Sequence, residues 1–367
     1  MTSTSTVTSS RTTPTPGFGI RVVAWLRTNL FSTWYNSLIT VLIAWAIVIV
    51  ADPFLRWLTV NSVVAPATAD VCRQAQGACW AFIQEKYRLI LFGLYPYDQQ
   101  WRPAAVLALF AGLCTLSCFR RFWTPRLLLI WLAGLVVVGI LMWGGILGMP
   151  FVENRFFGGL PLTIILSIVG LAVAFPIAIL LALGRRSNLP VLRSLSVIYI
   201  ELIRGVPLIS LLFMASVMFP LFLPQGVTVD KLLRAQVAFI MFAAAYMAEI
   251  VRAGLQTIPR GQYEAADALG LSYWQKHLKI VLPQALVLVI PPLVNTFIDF
   301  FKDTSLVVII GLFDLMSSTK ASLSDAAWRG FFTEAYLVAA VIYWVICFFM
   351  SRFSQRLEHD LNRNRRH

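Results

Sequence analysis

Residues 261–283 read GQYEAADALGLSYWQKHLKIVLP. This charged stretch, punctuated by glycine, lies between two long apolar runs, which leaves it a place in water at a membrane surface. Glu264 and Asp267 stand three apart and share a helix face, while Ala265, Ala266 and Ala268 keep the other sides slim. Gly270 is placed to end that helix in a left-handed conformation. Ser272-Tyr273-Trp274-Gln275 then carries the S-x-x-Q spacing of a capping box that starts another. The stretch predicts helix, stop, helix.

Around it the chain is dominated by apolar runs. Of 367 residues, 59% are hydrophobic and 13% charged, and the mean hydropathy is +0.76. A helix needs about 20 residues to cross a bilayer, and the runs predict an all-α, polytopic membrane protein with about eight transmembrane helices. They are expected over Trp34–Val50, Pro103–Phe119, Leu127–Leu147, Leu160–Leu183, Leu195–Phe219, Leu232–Val251, Lys279–Phe301 and Ala335–Met350. A net charge of +13 raises nucleic acid as a partner, but the arginines sit in short clusters between the runs, the pattern of membrane topology. No nucleic-acid partner is expected. Arg11, Arg21 and Arg27 before the first span, Arg120-Arg121, Arg185-Arg186 and the arginines after Met350 put both termini in the cytoplasm.

Residues 1–32, rich in Ser, Thr and Pro at their start, are expected to form a disordered cytoplasmic tail, and 353–367 a basic one. Residues 33–155 form an N-terminal extension with three spans and a periplasmic segment over 51–102. The aromatic residues of that segment, Trp57, Trp80, Tyr87, Tyr95 and Tyr97, lie either at headgroup level or in a small packed cap. Cys72 and Cys79 fall in the same segment and form a candidate disulfide in an oxidising compartment. Cys114, Cys118 and Cys347 sit in apolar runs as small hydrophobes. No metal site is expected, since His277, His359 and His367 lack zinc-site spacing.

Polar residues inside the apolar runs are few and costly, an unpaired charge near mid-membrane costing about 2.5–3.5 kcal/mol. Glu201 with Arg204, and Glu249 with Arg252, stand three apart and predict two structural ion pairs. Pro176 is expected to kink its span. Pro283 and Pro291-Pro292 should break another, leaving freed carbonyls where a pathway runs. Past them stand Asn295, Asp299, Lys302, Asp303, Thr304 and Ser305. That cluster offers an acceptor and a donor to a zwitterionic substrate, and equally reads as a self-neutralising salt bridge at the outer interface.

The EAA sequence with Gly270, Ile280 and Leu282-Pro283 resembles the EAA motif of permease subunits of bacterial ABC importers. AYMAEIVRAGLQTIPRGQ (Ala245–Gln262), IRGVPL (Ile203–Leu208), PPLVN (Pro291–Asn295) and KDTSLV (Lys302–Val307) resemble the polar amino-acid uptake branch, over a little more than half the chain. The long N-terminal part resembles the general L-amino-acid permeases. The resemblance implies a type I importer core of five helices over 156–352, with a coupling helix within 256–276. It implies that Glu264, Ala265, Ala266, Asp267 and Gly270 couple the chain to an ATPase dimer. It also implies a second permease subunit in a heterodimer, a periplasmic substrate-binding protein, and amino acids as cargo moved across the bacterial inner membrane. The sequence holds no Gly-Lys dipeptide, hence no G-x-x-x-x-G-K-[ST] phosphate loop. Mg-ATP is therefore expected on the partner ATPase, with no cofactor on this chain and no enzymatic constellation. The alternatives are an ion-gradient-driven secondary amino-acid transporter and a non-transporting membrane scaffold.

Overall fold

The structure, a computed structural model, describes residues 18–363; residues 1–17 of the predicted tail and 364–367 of the basic C-terminus lie outside them. The chain divides into two compact units between Ala81 and Phe82.

In the first unit, α1 (Phe18–Asn29) stands where disorder was expected over 1–32. Next, α2 (Trp34–Leu55) begins at Thr33, whose hydroxyl accepts the Asn36 N–H at 3.4 Å, and continues through one wide turn, Arg56–Val60. No residue of α2 is buried. A helix apolar on every side is suited to hydrocarbon. After it comes a small cap containing α3 (Ala69–Gln74). The Ala78 N–H donates to the Trp57 carbonyl, and the Val63 N–H to that of Ala78, both at 2.8 Å. The Trp80 indole donates to the Leu58 carbonyl at 3.0 Å, so this ring packs the cap. A disulfide joins Cys72 to Cys79, with Cα atoms 5.5 Å apart.

α4 (Trp80–Phe92) leads into the second unit. There Phe82 is fully buried, its ring 5.9 Å from that of Phe331 and 6.0 Å from that of Trp328. Lys86 reaches Asp325 at 2.6 Å. α5 (Trp101–Ser117) packs on α6 (Pro125–Trp143). One fully buried cation closes their junction. Arg102 donates to the carbonyls of Leu141, Pro150 and Met142 at 2.6, 3.0 and 3.3 Å, and Tyr95 donates its hydroxyl to Met142 at 2.9 Å. The last carbonyls of α6 carry the negative end of its dipole, which suits a guanidinium. Gly144, at φ +70°, makes room, because a Cβ there would lie 2.4 Å from the Pro150 oxygen and 2.5 Å from Arg102 Nη2. Burial pushes the Tyr95 hydroxyl up to about 12, which keeps it a donor.

The seam of the second unit is α7 (Gly159–Arg185) against α10. On α7 the buried residues Gly170, Ala174, Ala178 and Ala182 recur every fourth position, a thin stripe on a helix that packs against α10 (Lys231–Gln256), which itself buries Ala235, Ala238, Ala245 and Ala248. Small residues let two membrane helices approach closely. The α7 helix runs through Pro176 without a break in its assignment. Between α7 and α10 the expected single span over Leu195–Phe219 is instead two pieces. α8 (Pro190–Arg204) and the segment Leu208–Phe222, beginning with α9 (Leu208–Phe213), are bent by 100°. Pro207 has no N–H to extend α8 and pushes the residue before it out of helical geometry.

α11 (Arg260–Ala268) and α12 (Tyr273–Lys276) follow α10. α13 (Leu282–Asp303) then passes Pro291-Pro292 unbroken, contrary to the expected interruption. The irregular turn lies earlier, at His277–Val281, just ahead of Pro283 in the first turn of α13. Pro283 needs no donor there, and the wide turn keeps its ring from the preceding carbonyls. A short strand, β1 (Phe313–Asp314), bridges to Gly158 and Gly159 before α14 (Leu315–Ser322). α15 (Phe332–Arg363) takes in most of the segment expected as a basic tail.

Among the described residues six helices are long and apolar enough to cross a membrane, seven if the bent pair forms one span. The remaining expected span, Pro103–Phe119, corresponds to α5, whose 17 residues make about 26 Å of helix, short of the about 30 Å hydrocarbon thickness. Residues 82–155, assigned from sequence to a separate extension, share one compact unit and one apolar core with α7 and α10: Val106, Phe110 and Met142 pack in the same cluster as Leu162 and Phe239.

Replacing Arg102 by Ala strips three carbonyls of their donor and is expected to cost about 3 kcal/mol. A thermal melt of the detergent-solubilised chain should drop by several degrees, with Arg102→Lys between the two. At the Lys86–Asp325 contact, the hydrogen bond from Lys86 and one from the Ala327 N–H hold the Asp325 carboxyl below the usual carboxylate range. A carboxyl depressed in the folded state contributes stability above its unfolded value of 3.8 and loses it as pH falls through the lower folded value. The exchange protection of residues 82–92, taken relative to the intrinsic amide rate at each pH, should therefore fall on acidification below the ordinary carboxylate range, and Asp325→Asn should abolish that fall.

Candidate functional site

The helix–stop–helix expected over 261–283 is built by local hydrogen bonds. α11 ends in a Schellman turn: the Gly270 N–H reaches the Asp267 carbonyl at 2.9 Å and the Leu271 N–H that of Ala266 at 3.2 Å, with Gly270 at φ +69°. Ser272 then starts α12 with both arms of the capping box, its N–H donating to Gln275 Oε1 at 3.0 Å and its Oγ accepting the Gln275 N–H at 3.4 Å. Asp267 forms an ion pair with Lys276, clasping the two helices together. Asp267 is thus occupied within the knob. Glu264 is exposed and makes no ion pair among the described residues.

The knob has a fixed root. Tyr263 donates its hydroxyl to the Leu255 carbonyl at 3.2 Å, and Gln284 reaches Gln262 Oε1 at 3.0 Å. The Tyr263 ring packs on a cluster of Ala182 from α7, Val251 and Leu255 from α10, and Leu282 and Ala285 from α13. Ala266 is fully buried, whereas Ala265 is exposed with Glu264. Sequence reasoning overlooked the tip itself. Leu269 is 77% exposed and Trp274 54%, an apolar surface beside Glu264 that no intrachain packing explains. Their signal was available, since both lie outside any apolar repeat.

Near the root three helices, α7, α8 and α10, share a charge network. Arg185 Nη1 lies 2.8 Å from Glu201 Oε1 and 3.3 Å from Glu249 Oε2. These are contacts of charge, since neither Arg185 Nη1 nor Glu249 Oε2 makes an aligned hydrogen bond. Arg252 donates to Glu249 through Nε at 2.8 Å. The expected Glu201–Arg204 pair is not formed. Arg204, the last residue of α8, lies over the Tyr246 ring at 5.4 Å, and Glu201 pairs with Arg185 across helices. The sequence presented Arg185 only as a topology charge, and a partner sixteen residues away leaves no periodic trace.

At the far end of α13, Asn295, Asp299 and Lys302 lie four and then three apart, and all are exposed on one face, with Lys302 Nζ 3.0 Å from Asp299. The remaining candidates do not join them. Asp303 is half-buried, Thr304 is buried and donates to the Phe301 carbonyl at 2.8 Å, and Ser305 is half-buried in a tight turn. A second polar centre close by was missed. Asp314 is fully buried and accepts from the N–H groups of Met316 and Ser317 at 3.0 and 2.9 Å, from the Ser317 hydroxyl, and from Tyr343 at 3.3 Å. With Thr163 accepting the Leu315 N–H at 3.1 Å, it fixes α14 to α7 and α15. The D-x-x-S spacing of Asp314 and Ser317 was the available sign of a helix cap.

Residues 174–363 match the family described as binding-protein-dependent transport system inner membrane component, more than half of the chain. The chain belongs to this family. It is 50% identical over 351 residues, 94% of each chain, to the inner membrane amino-acid ABC transporter permease protein YhdY of Escherichia coli (strain K12). It is 37% identical, over 96% of each chain, to the glutamate/glutamine/aspartate/asparagine transport system permease protein BztC of Rhodobacter capsulatus. Among solved structures it is similar to a crystal structure of an amino acid ABC transporter with histidines, at 29% identity and TM-score 0.49, covering 55% of this chain and 92% of that one. As a permease subunit the chain is a multi-pass membrane protein that does not itself hydrolyse ATP. Its family gives it ATPase and binding-protein partners.

In this permease Glu249 is the one anion among the described residues that is shared by two arginines from different helices. Glu249→Gln should leave Arg185 and Arg252 facing each other across a neutral amide, costing about 2 kcal/mol after allowance for partial exposure. The measurable consequence is a lower unfolding midpoint, with Glu201→Gln, at a more exposed carboxylate, having the smaller effect.

Proposed function

We propose that this permease carries L-amino acids across the bacterial inner membrane, driven by ATP hydrolysed on a separate subunit that bears on the α11–α12 knob. The observation that carries the reading is the combination at that knob: a locked helix–turn–helix rooted on three spans by Tyr263 and Gln262, presenting an unpaired Glu264 with exposed Leu269 and Trp274. A rigid lever that pairs Asp267 with Lys276 internally but leaves Glu264 and an apolar tip open suits docking into another protein. Amino acids as cargo are favoured by the named specificities of the relatives YhdY and BztC.

In this reading two ATPase subunits hold Mg-ATP, and their closure pushes the knob. The push passes through Tyr263 to the ends of α7, α10 and α13. A second permease subunit, in a heterodimer, covers the exposed polar face of Asn295, Asp299 and Lys302. That face lines the pathway, Asp299 serving as acceptor for the cargo's ammonium and Lys302 as donor to its carboxylate. A periplasmic binding protein delivers the cargo. Both termini and the knob lie in the cytoplasm, which matches the arginine clusters.

Two substitutions test the coupling role. Glu264→Lys changes an exposed side chain, worth within about 0.5 kcal/mol of stability. Gly270→Val forces a branched residue into left-handed geometry at a cost of about 1–2 kcal/mol, too little to unfold the chain. Both variants should insert and assemble normally while amino-acid uptake and transport-stimulated ATP hydrolysis in proteoliposomes fall at least tenfold. Uptake at the unmodified rate in both would remove the knob from the mechanism.

A further inference from the structure

Beside the break after α8 lies a hollow that no described residue fills. A cavity of about 390 Å³ lies between α9, the turns that follow it to Phe222, and the first half of α10. That volume is within the about 300–1,000 Å³ of small-molecule sites. Every lining residue is apolar except Arg234, and the walls include Leu211, Phe222, Val237 and three methionines, Met214, Met218 and Met241. Methionine is unbranched and adapts to a guest of no fixed shape. Phe222 is 79% exposed and Leu233 55%, so the mouth opens towards hydrocarbon.

Arg234 is the anomaly. One Nη donates to the Ser216 carbonyl, while Nε is buried without a partner. Among the described residues it has no acidic partner. Asp230, one turn earlier, is already occupied in capping α10, where Oδ1 accepts the N–H groups of Leu232 and Leu233 at 2.9 and 3.3 Å. A guanidinium carries five donors in a planar fork, and leaving them unmet beside an apolar wall is costly. Arg234 stands in the first turn of α10, about 5 Å along the axis from its start, the depth at which headgroups meet acyl chains.

We propose that this cavity binds an anionic phospholipid, its phosphodiester on Arg234 and one acyl chain among the methionines. The guanidinium fork matches two phosphate oxygens, and the apolar wall matches the tail. A free phosphate would make no use of the wall. An amino acid needs an acceptor for its ammonium, and no acid lines the cavity.

The test is to delipidate the full-length permease in mild detergent, reload it from mixed phosphatidylglycerol and phosphatidylethanolamine, and quantify the retained lipid by mass spectrometry. Wild type should enrich phosphatidylglycerol. Arg234→Gln should lower that enrichment about tenfold, the loss of one charge-assisted contact, while Arg234→Lys keeps most of it. Ala215→Phe, which puts a ring into the cavity and leaves the guanidinium in place, should reduce the retained lipid as well. Equal enrichment in wild type and Arg234→Gln overturns the proposal. If Arg234→Gln fails to fold, unchanged enrichment in Ala215→Phe overturns it alone. So does a photo-cross-linker at Met218 that captures a second protein chain and no lipid.

Discussion

Hydrocarbon solvates no charge, so each ionised or strongly polar group in this chain is matched from within or is left open to another molecule. Three matched centres hold the second unit together. Arg102 is answered by three backbone carbonyls, Glu249 by two arginines, and Asp314 by backbone, hydroxyl and phenol donors. Arg102 and Asp314 lie at helix ends, where unpaired backbone groups and side chains can satisfy one another. Between them the spans are apolar cylinders held close by small residues, as along Gly170, Ala174, Ala178 and Ala182. The groups left open are as informative. Glu264 on the knob, the Asn295–Asp299–Lys302 face and Arg234 are the places where the chain's own atoms stop short.

The same matching makes the knob a lever rather than a loop. Its two short helices are tied to each other by caps and by Asp267–Lys276, so they move as one piece. The root meets three spans in a packed apolar cluster, and packed interiors transmit displacement because they have little room to absorb it. The charge network beside the root ties α7, α8 and α10 together at the same level. A displacement of α11 is therefore shared among several spans at once.

What could be read in the sequence was what is local. The Schellman glycine, the capping box and the paired Glu249–Arg252 are decided within a few residues, and the structure forms each as the spacing implied. Apolar runs likewise announced most spans to within a few residues. Features settled by distant partners were not legible. Glu201 had a neighbour of opposite sign at helical spacing, yet Arg185 from another helix took it, because the chain turns away at Arg204. Pro291-Pro292 read as a break, but the helix passes them while the irregular turn falls at His277–Val281. Asp314 looked like one charge in a short apolar stretch, and only folding gathers Thr163, Ser317 and Tyr343 around it.

The bridges from Gly158 and Gly159 to β1, and the Thr163 hydroxyl under Leu315, bear on how such a chain is dissected. The segment shared with the family begins at residue 174, halfway along α7. A boundary drawn there severs a bilayer-crossing helix and discards the lintel on which α14 rests. The family match starts inside a helix of the second unit, so excised fragments or chimaeras need their junction ahead of α4.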